Sequence, residues 1–444
     1  MNVLYVSQYF PPEKCAPAAR VSELAQQWVN GGHRVTVLTG FPNHPTGIVD
    51  PRYRKRFRRL HCREWLGNVE VVRTWLWPMA NAQIWKRAIC YFSFFLSACV
   101  AGLFLDRPDV IIATSPQLLV GLSGWFLARV FGVPFVFEVR DLWPESLSAV
   151  GARNSRSIFY RVVGSIARFL YRQSQQVVVV SPAFREQLIS RWDVPEAKID
   201  VVENGVEPDL FSPSSPTDLR RPFALEGKFV ISYIGTVGMA HGLKTVLDAA
   251  ELIRPECPGA HVLLIGDGAE RRNVEQEARR RGLKNVSVLP AQPRETVPAF
   301  IRASDVCLVL LKKAEAFRTV IPTKMLEFMA CGRAVVLGVE GQAADILQQA
   351  KAGLCVPPED ATELSAAIGA LYRDSELRGR LGANGRAYIV GHLTRARTAE
   401  KYLTVLESAI EAYRLQHGFR KQPATVPVPQ MSRSAAALAP VKPM

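Results

Sequence analysis

Eight cysteines are scattered over 444 residues without a C-x-x-C pair or a His/Cys cluster, so neither a disulfide framework nor a zinc site is indicated, and a reducing cytoplasm fits best. No loop reads G-x-x-x-x-G-K-[ST], and the first strand–helix turn lacks G-x-G-x-x-G, leaving little support for an ATPase or a dehydrogenase. No D-x-D pattern closes a strand, so no essential divalent ion and no cofactor is expected. Nucleic-acid motifs are missing too, which argues against a nucleic-acid partner. The opening MNVLYVSQYF carries no basic n-region and no small-residue cleavage site, and it reads as a first strand rather than a signal peptide. No internal repeat is visible.

What is present is globular. The length favours two domains over one core, and 48% hydrophobic with 21% charged residues is the balance of a folded chain. Lys and Arg number 55 against 40 Asp and Glu, a net charge of +15, which suits an anionic membrane or a phosphorylated substrate. Seven of the twelve residues from Arg52 to Arg63 are basic, with Tyr53, Phe57 and Leu60 between them. That spacing reads as a membrane-surface contact, with a solvated loop as the alternative. Ala88–Leu105 runs 18 residues without a charge, the lower limit for a spanning helix. It leads at once into Val110-Ile111-Ile112, so a core or membrane-touching helix and a true span both stay open.

Short apolar runs alternate with helical patterns. Strands are expected at Val3–Val6, Arg34–Leu38, Val69–Arg73, Val110–Ala113, Phe135–Glu138 and Val177–Val180, then, after the Pro/Ser-rich stretch Pro208–Pro222, at Phe229–Ile234, His261–Ile265, Val286–Leu289, Val306–Leu310 and Ala334–Leu337. Continuous Val/Ile/Leu runs between helices such as Ala18–Asn30 and Ile158–Gln173 predict parallel strands buried on both faces. The fold class is therefore α/β, with two Rossmann-like domains facing each other across a cleft. The expected division is residues 1–206 and 207–390, a C-terminal helix at 391–417 packing back toward the first domain, and a disordered tail at 418–444.

The segment AEAFRTVIPTKMLEFMACGRAVV, Ala314–Val336, is the most informative. A helix from about Pro322 to Cys331, closed by Gly332, turns Met325, Phe328 and Met329 to a sheet and leaves Lys324 and Glu327 on a neighbouring side. Its N-terminus, with Thr323 and Lys324, suits a phosphate, and Glu327 suits two vicinal hydroxyls such as those of a ribose. An ordinary charged helix face is the competing reading. Two small-residue turns follow strands in the same half, Gly235-Thr236-Val237-Gly238 up to His241-Gly242 and Gly266-Asp267-Gly268, where glycine lets backbone N–H groups approach a phosphate. In the first half Asp141 follows the strand Phe135–Glu138 and should point into the cleft, either orienting an acceptor hydroxyl or, in the alternative, pairing with Arg140 or capping the next helix. Glu145 is a weaker candidate of the same kind.

These residues carry a resemblance. F-P-P-E at 10–13, G-G-H-R-V-T-V-L-T at 31–39, S-P at 181–182, E-N-G-V-E-P-D-L-F at 203–211, L-L-I-G-D-G-A-E at 263–270 and E-F-M-A-C-G at 327–332 resemble the family 4 retaining glycosyltransferases of GT-B fold over about residues 1–415. T-G-F-P-N-H-P-T-G at 39–47, R-D-L-W-P-E-S at 140–146 and T-V-I-P-T-K at 319–324 resemble the WbuB-like branch, N-acetylfucosaminyl transferases of bacterial surface-polysaccharide assembly. The resemblance implies a UDP-sugar donor held by the second half, an acceptor held by the first, and retention at the anomeric carbon.

Carried over by position, Glu327 is the second glutamate of E-x7-E, the ribose ligand, while Thr319 stands where the first glutamate would be. A hydroxyl cannot take a carboxylate's role there. The diphosphate motif G-R-x-x-x-x-K-G reads Gly235-Thr236 and His241-Gly242, which leaves Lys324, with His241 second, to answer the charge of a diphosphate leaving group. Gly238, Gly266, Gly268 and Arg271 complete the donor-side candidates. Pro17, Asn43, His44 and Arg140 fall on the acceptor side, and Cys15, in place of a glycine, reads as a tolerated small residue. The implied acceptor is polyprenyl-diphosphate-linked, which would explain basic and aromatic residues together over Arg52–Trp77, with the protein peripheral on the cytoplasmic face of the plasma membrane. A UDP-sugar 2-epimerase of the same fold and a catalytically silent partner of another transferase are the alternatives.

Overall fold

Runs such as Val110-Ile111-Ile112 and Phe135-Val136-Phe137 are buried on both faces, which only a strand covered by helices on each side can achieve. The computed structural model describes residues 1–13, 15–44, 46–80, 84–144, 158–214 and 219–418. The strands are β1 (Asn2–Val6), β2 (Arg34–Gly40), β3 (His61–Leu66), β4 (Val69–Thr74), β5 (Val110–Thr114), β6 (Phe135–Val139), β7 (Gln176–Val179), β8 (Ile199–Val201), β9 (Phe229–Ile234), β10 (Ala260–Ile265), β11 (Val286–Leu289), β12 (Val306–Leu310), β13 (Ala334–Gly338) and β14 (Gly353–Cys355). They form two sheets, ordered β3-β4-β2-β1-β5-β6-β7-β8 and β11-β10-β9-β12-β13-β14. Each reverses direction beside its first strand, between β1 and β5 and between β9 and β12. A ligand crevice at the carboxyl ends of those strands follows from that order.

Every expected strand is present within a residue or two. The departure is β3, which pairs antiparallel with β4 through the two-residue turn Gly67-Asn68. The basic stretch thus ends in a sheet edge rather than a loop. Three of its seven cations are already engaged: Arg52 with Asp50 at 2.8 Å, Arg56 with Glu64 at 3.0 Å and Arg63 with Glu70 at 3.4 Å. Arg54, Lys55, Arg58 and Arg59 are left without an ion-pair partner among the described residues.

The apolar run lies in the helix Ile84–Gly102. Phe94 and Ala98 are fully buried against the first sheet while Ile89, Phe92, Leu96 and Val100 face outward. No helix among the described residues is long and apolar enough to cross a membrane, so the spanning alternative is set aside. One residue in three or four of this helix packs inward, the pattern of a helix lying on a core.

The C-terminal helix Arg395–Gln416 lies on the first sheet's helices: Trp28 Nε1 donates to the Ala399 carbonyl at 3.0 Å and its ring meets Tyr402 at 5.3 Å. Gly205 of the E-N-G-V motif allows this crossing, because a Cβ there would stand 2.7 Å from the Thr394 carbonyl oxygen and 2.8 Å from the Arg395 Cα. Asn204 beside it accepts from the buried Arg20 at 2.9 Å, and Arg20 also pairs with Glu138 and reaches the Val202 carbonyl. This motif is therefore a joint between chain segments.

Candidate functional site

On the donor side the helix is Thr323–Ala330, with Pro322 extended just before it rather than inside its first turn. Met325, Leu326, Phe328 and Met329 are buried in the second domain's core, which leaves Lys324 beside Tyr233 at the end of β9 and Glu327 against Arg294. The Lys324 ammonium lies 3.9 Å from the Tyr233 ring centroid and has no hydrogen-bond partner. A Cβ on Gly235 would sit 3.4 Å from it. Burial pulls Lys324 down to about 7, with Glu327 opposing. His241 is held down to about 4, by burial first and then by the Lys324 charge. It is therefore a neutral ring at physiological pH, able to donate an N–H but not a charge. Tyr233 Oη donates to the Thr236 carbonyl at 2.6 Å and fixes that turn.

The two glycine turns pack on each other. Gly235 N donates to Ile265 O and Val237 N to Asp267 O, each at 2.9 Å. Gly266 and Gly268 have φ of +155° and +156°, and a Cβ on either would run into the backbone carbonyl of Gly235 or Val237. Loop-on-loop packing is one reason glycine stands at these two positions. Arg271 pairs with Asp267 at 3.1 Å at the edge of the same turn. The Gly238 carbonyl lies 3.4 Å from His241 Nδ1.

Glu327 is not a bare carboxylate. Arg294 Nη1 donates to its Oε1 at 3.0 Å, and Arg294 Nη2 donates to Glu23 of the first domain at 2.9 Å. Glu23 is held from its other oxygen by Arg395 Nε at 2.8 Å, and the Arg294 guanidinium lies over Phe211, 5.2 Å from its centroid. Burial raises the Glu327 carboxyl and Arg294 opposes that. Glu23, Arg294 and Arg395 form a bridge between the domains that no spacing in the sequence announces. Thr319 spends its hydroxyl on the Ala316 carbonyl at 3.1 Å, while its own carbonyl accepts from Ser181 of the first domain at 3.1 Å. Thr323 opens the helix, half-buried.

On the acceptor side Ser115 Oγ accepts from the backbone N–H groups of Arg140 and Asp141, at 2.7 and 3.3 Å. This hydroxyl fixes the turn after β6. Burial raises the Asp141 carboxyl to about 6 against the pull of Arg140. No ion pair joins the two, and Arg140 keeps Nε and Nη1 without partners. Glu145 lies outside the described residues.

Glu13, quoted in a motif but not proposed as a site residue, is buried and holds the loops around it. It accepts from the N–H groups of Asn43 at 3.1 Å, His44 at 3.0 Å and Phe10 at 3.3 Å. Burial raises it to about 7, opposed by those three donors and by Arg73. It ties the loop after β1 to the loop after β2, placing the His44 ring 5.0 Å from Tyr9. Pro17 stands half-buried in the first turn of the helix Ala16–Asn30, and Cys15 at its N-cap is pushed up to about 12 by burial, an unreactive thiol. Among the described residues no group of three or more His, Cys, Asp or Glu could hold a metal.

The second domain thus offers a buried ammonium with no hydrogen-bond partner, a neutral imidazole and a helix mouth, and the first domain holds, in the loops after β1 and β6, two carboxyls raised by burial. Comparison with known proteins fits that division. The family described as Glycosyl transferase 4-like domain matches residues 16–205, and that described as Glycosyl transferases group 1 matches residues 215–388. The chain is 25% identical over 382 residues to WcaI of Escherichia coli (strain K12), a glycosyl transferase named for colanic acid biosynthesis, covering 83% of this chain and 91% of that one. Its fold is that of sucrose-phosphate synthase from Thermosynechococcus elongatus, with a TM-score of 0.75 at 20% identity over 93% of this chain and 99% of that one. It is also that of Anabaena HepE in complex with UDP, with a TM-score of 0.66 at 17% identity over 92% and 100%.

Proposed function

Because the chain belongs to the family 4 glycosyltransferases of GT-B fold, we propose that it is a retaining enzyme that moves a sugar from a UDP-sugar to a lipid-diphosphate-linked acceptor in bacterial surface-polysaccharide assembly. The observation that carries this reading is Lys324, a buried ammonium over the Tyr233 ring with no hydrogen-bond partner, at the turn after β9. Such a group is costly unless a ligand neutralises it, and a nucleotide diphosphate does so. The WcaI name and the UDP complex of HepE support the class of product and of donor. The sequence motifs of the WbuB-like branch favour an N-acetylated deoxyhexose as the sugar.

In this reading Lys324 answers the charge that develops on the departing diphosphate, and neutral His241 donates a hydrogen bond beside it. Glu327 receives the ribose hydroxyls while Arg294 holds its other oxygen. Asp141 orients the acceptor hydroxyl on the same face as the leaving group, so displacement proceeds with retention and asks the protein for geometry and charge rather than a nucleophile. Thr319, whose hydroxyl is occupied, supplies backbone contact rather than acid or base. Arg54, Lys55, Arg58 and Arg59 place the protein on an anionic membrane, each contributing about 1 kcal/mol near the surface.

Mass spectrometry of lipid-linked sugars in host cells lacking the protein tests the proposal. A prenyl-diphosphate intermediate one sugar shorter than the wild-type product should accumulate. An unchanged lipid-linked pool would refute it.

A further inference from the structure

A large cavity lies on the first domain, apart from the donor-side turns. It is a trough of about 1780 Å³, well above the ~300–1,000 Å³ of ordinary small-molecule sites. One wall is the outer face of the helix Ile84–Gly102, with Phe92, Leu96, Val100 and, just beyond it, Phe104. That helix has 19 residues, so the wall is about 28 Å long at ~1.5 Å per residue. The facing wall is the helix Ile158–Gln173, through Phe159, Val162 and Ile166. Trp75 and Trp77, which follow β4, add aromatic surface.

Two features separate this trough from a plain greasy face. Arg59 and Arg87 line it, and Arg87 Nε is buried without a hydrogen-bond partner, so an otherwise apolar channel carries cationic charge. Gln117, Leu118 and Trp143 line it as well. Gln117 lies two residues after Ser115, the hydroxyl that holds the Asp141 turn, and Trp143 lies two residues after Asp141. The lining therefore includes residues of the segments that follow β5 and β6, the same segments that carry Ser115 and the carboxyl that would meet the acceptor.

We infer that the trough is the binding site for the hydrocarbon chain of the acceptor, a single prenyl-type chain whose diphosphate lies against Arg59 and Arg87 while its sugar reaches Asp141. The inference rests on the acceptor being lipid-linked. An anionic bilayer could also meet the cations, but it needs a convex or flat apolar face and leaves the concavity and the link to Trp143 without a role. One chain with one anionic head uses the cations, the concavity and that link.

Intrinsic tryptophan fluorescence of the full-length protein reads this directly, because Trp75, Trp77 and Trp143 line the trough. Farnesyl diphosphate, used below its critical micelle concentration, should give a saturable change, with inorganic diphosphate and farnesol each at least tenfold weaker. Phe92 and Leu96 are 53% and 49% exposed, so Phe92→Asp and Leu96→Asp should fold, and each should weaken farnesyl diphosphate at least tenfold while UDP binding stays unchanged. Arg87→Gln should weaken farnesyl diphosphate but not farnesol. Unsaturable binding, or equal binding by the Asp variants, would overturn the inference. So would loss of vesicle binding in those variants with farnesyl diphosphate binding intact, since the face would then be a membrane contact. UDP binding measured in parallel keeps the two readings apart: it survives failure of the trough and is lost only if the donor site itself is misread.

Discussion

Raising the pH from 7 to 9 should strip the protein of its affinity for UDP. Lys324 sits near 7 in the free protein because burial disfavours its charge, and the diphosphate should restore it toward the ordinary lysine range of about 10.4. Binding then takes up a proton wherever the free lysine is neutral and the bound one is charged. Above pH 7 the association constant should fall toward tenfold per pH unit, roughly 1.4 kcal/mol each, so that pH 9 is about fifty-fold weaker than pH 7. His241, held near 4, is neutral throughout and adds no slope, and the terminal phosphate of UDP, titrating near ~6 like a phosphomonoester, is largely ionised above pH 7. Isothermal calorimetry in buffers of different ionisation enthalpy measures both the affinity and the proton uptake. Uridine, which lacks the diphosphate, should show no such slope, and Lys324→Met should abolish it for UDP. The same burial has a stability side. The lowered folded pKa means the unfolded chain binds the extra proton between about 7 and 10.4, so this group's contribution to stability rises with pH across that window and is least favourable below it. Lys324→Met should accordingly raise the melting temperature at pH 6, by about 2–4 °C for each kcal/mol relieved. A flat pH profile for UDP, or an equal slope for uridine, would refute the assignment of Lys324 to the diphosphate.

Glu327→Ala should weaken UDP at least tenfold in calorimetry, since each ribose hydrogen bond to a charged oxygen is worth roughly 1.5–3 kcal/mol; unchanged affinity in a folded variant would remove Glu327 from the site. Glu13, raised to about 7, keeps a proton in the folded protein that the unfolded chain releases, so its contribution to stability falls as pH rises from about 4.5 to 7, and Glu13→Gln should flatten that decline in urea midpoints taken at pH 5 and 7. Gly205→Ala should destabilise by about 1–3 kcal/mol, because the added Cβ meets the Thr394 carbonyl and the Arg395 Cα, a loss visible in thermal melts without any change in UDP affinity per folded molecule. Replacing Arg54, Lys55, Arg58 and Arg59 with Ser should abolish flotation with anionic liposomes at low salt, and wild-type flotation should itself fade at high ionic strength.

The strands were legible because two-sided burial leaves unbroken Val and Ile runs, as in Val110-Ile111-Ile112 and Phe135-Val136-Phe137. Strand β3, His61–Leu66, was not, because an edge strand facing solvent carries Arg63, Glu64 and Trp65 with no apolar run. Its only signal was the Gly67-Asn68 turn, a two-residue hairpin dipeptide. Lys324 was reached through the resemblance, as the cation left once the turn Gly235–Gly242 lacks the motif's Arg and Lys, and it does stand beside Gly235. The bridge from Glu327 through Arg294 and Glu23 to Arg395 was not legible, since its members lie 33, 271 and 372 residues apart in the chain and each alone looks like a surface charge. Glu13 was hidden for a related reason: its partners are backbone N–H groups, which no side-chain pattern advertises. The packing of Gly266 and Gly268 against the backbone of Gly235 and Val237 was not legible either, because it is a contact between two loops distant in the chain.

Acceptor-dependent UDP release, followed by proton NMR of the product's anomeric signal, distinguishes transfer from UDP with retention from its alternatives. With a UDP-linked N-acetylated deoxyhexose and a prenyl-diphosphate-linked sugar as acceptor, UDP should appear at an appreciable rate only when the acceptor is present, and the new linkage should keep the donor's anomeric configuration. Donor turnover at the same rate without acceptor, or a product of inverted configuration, would contradict transfer with retention.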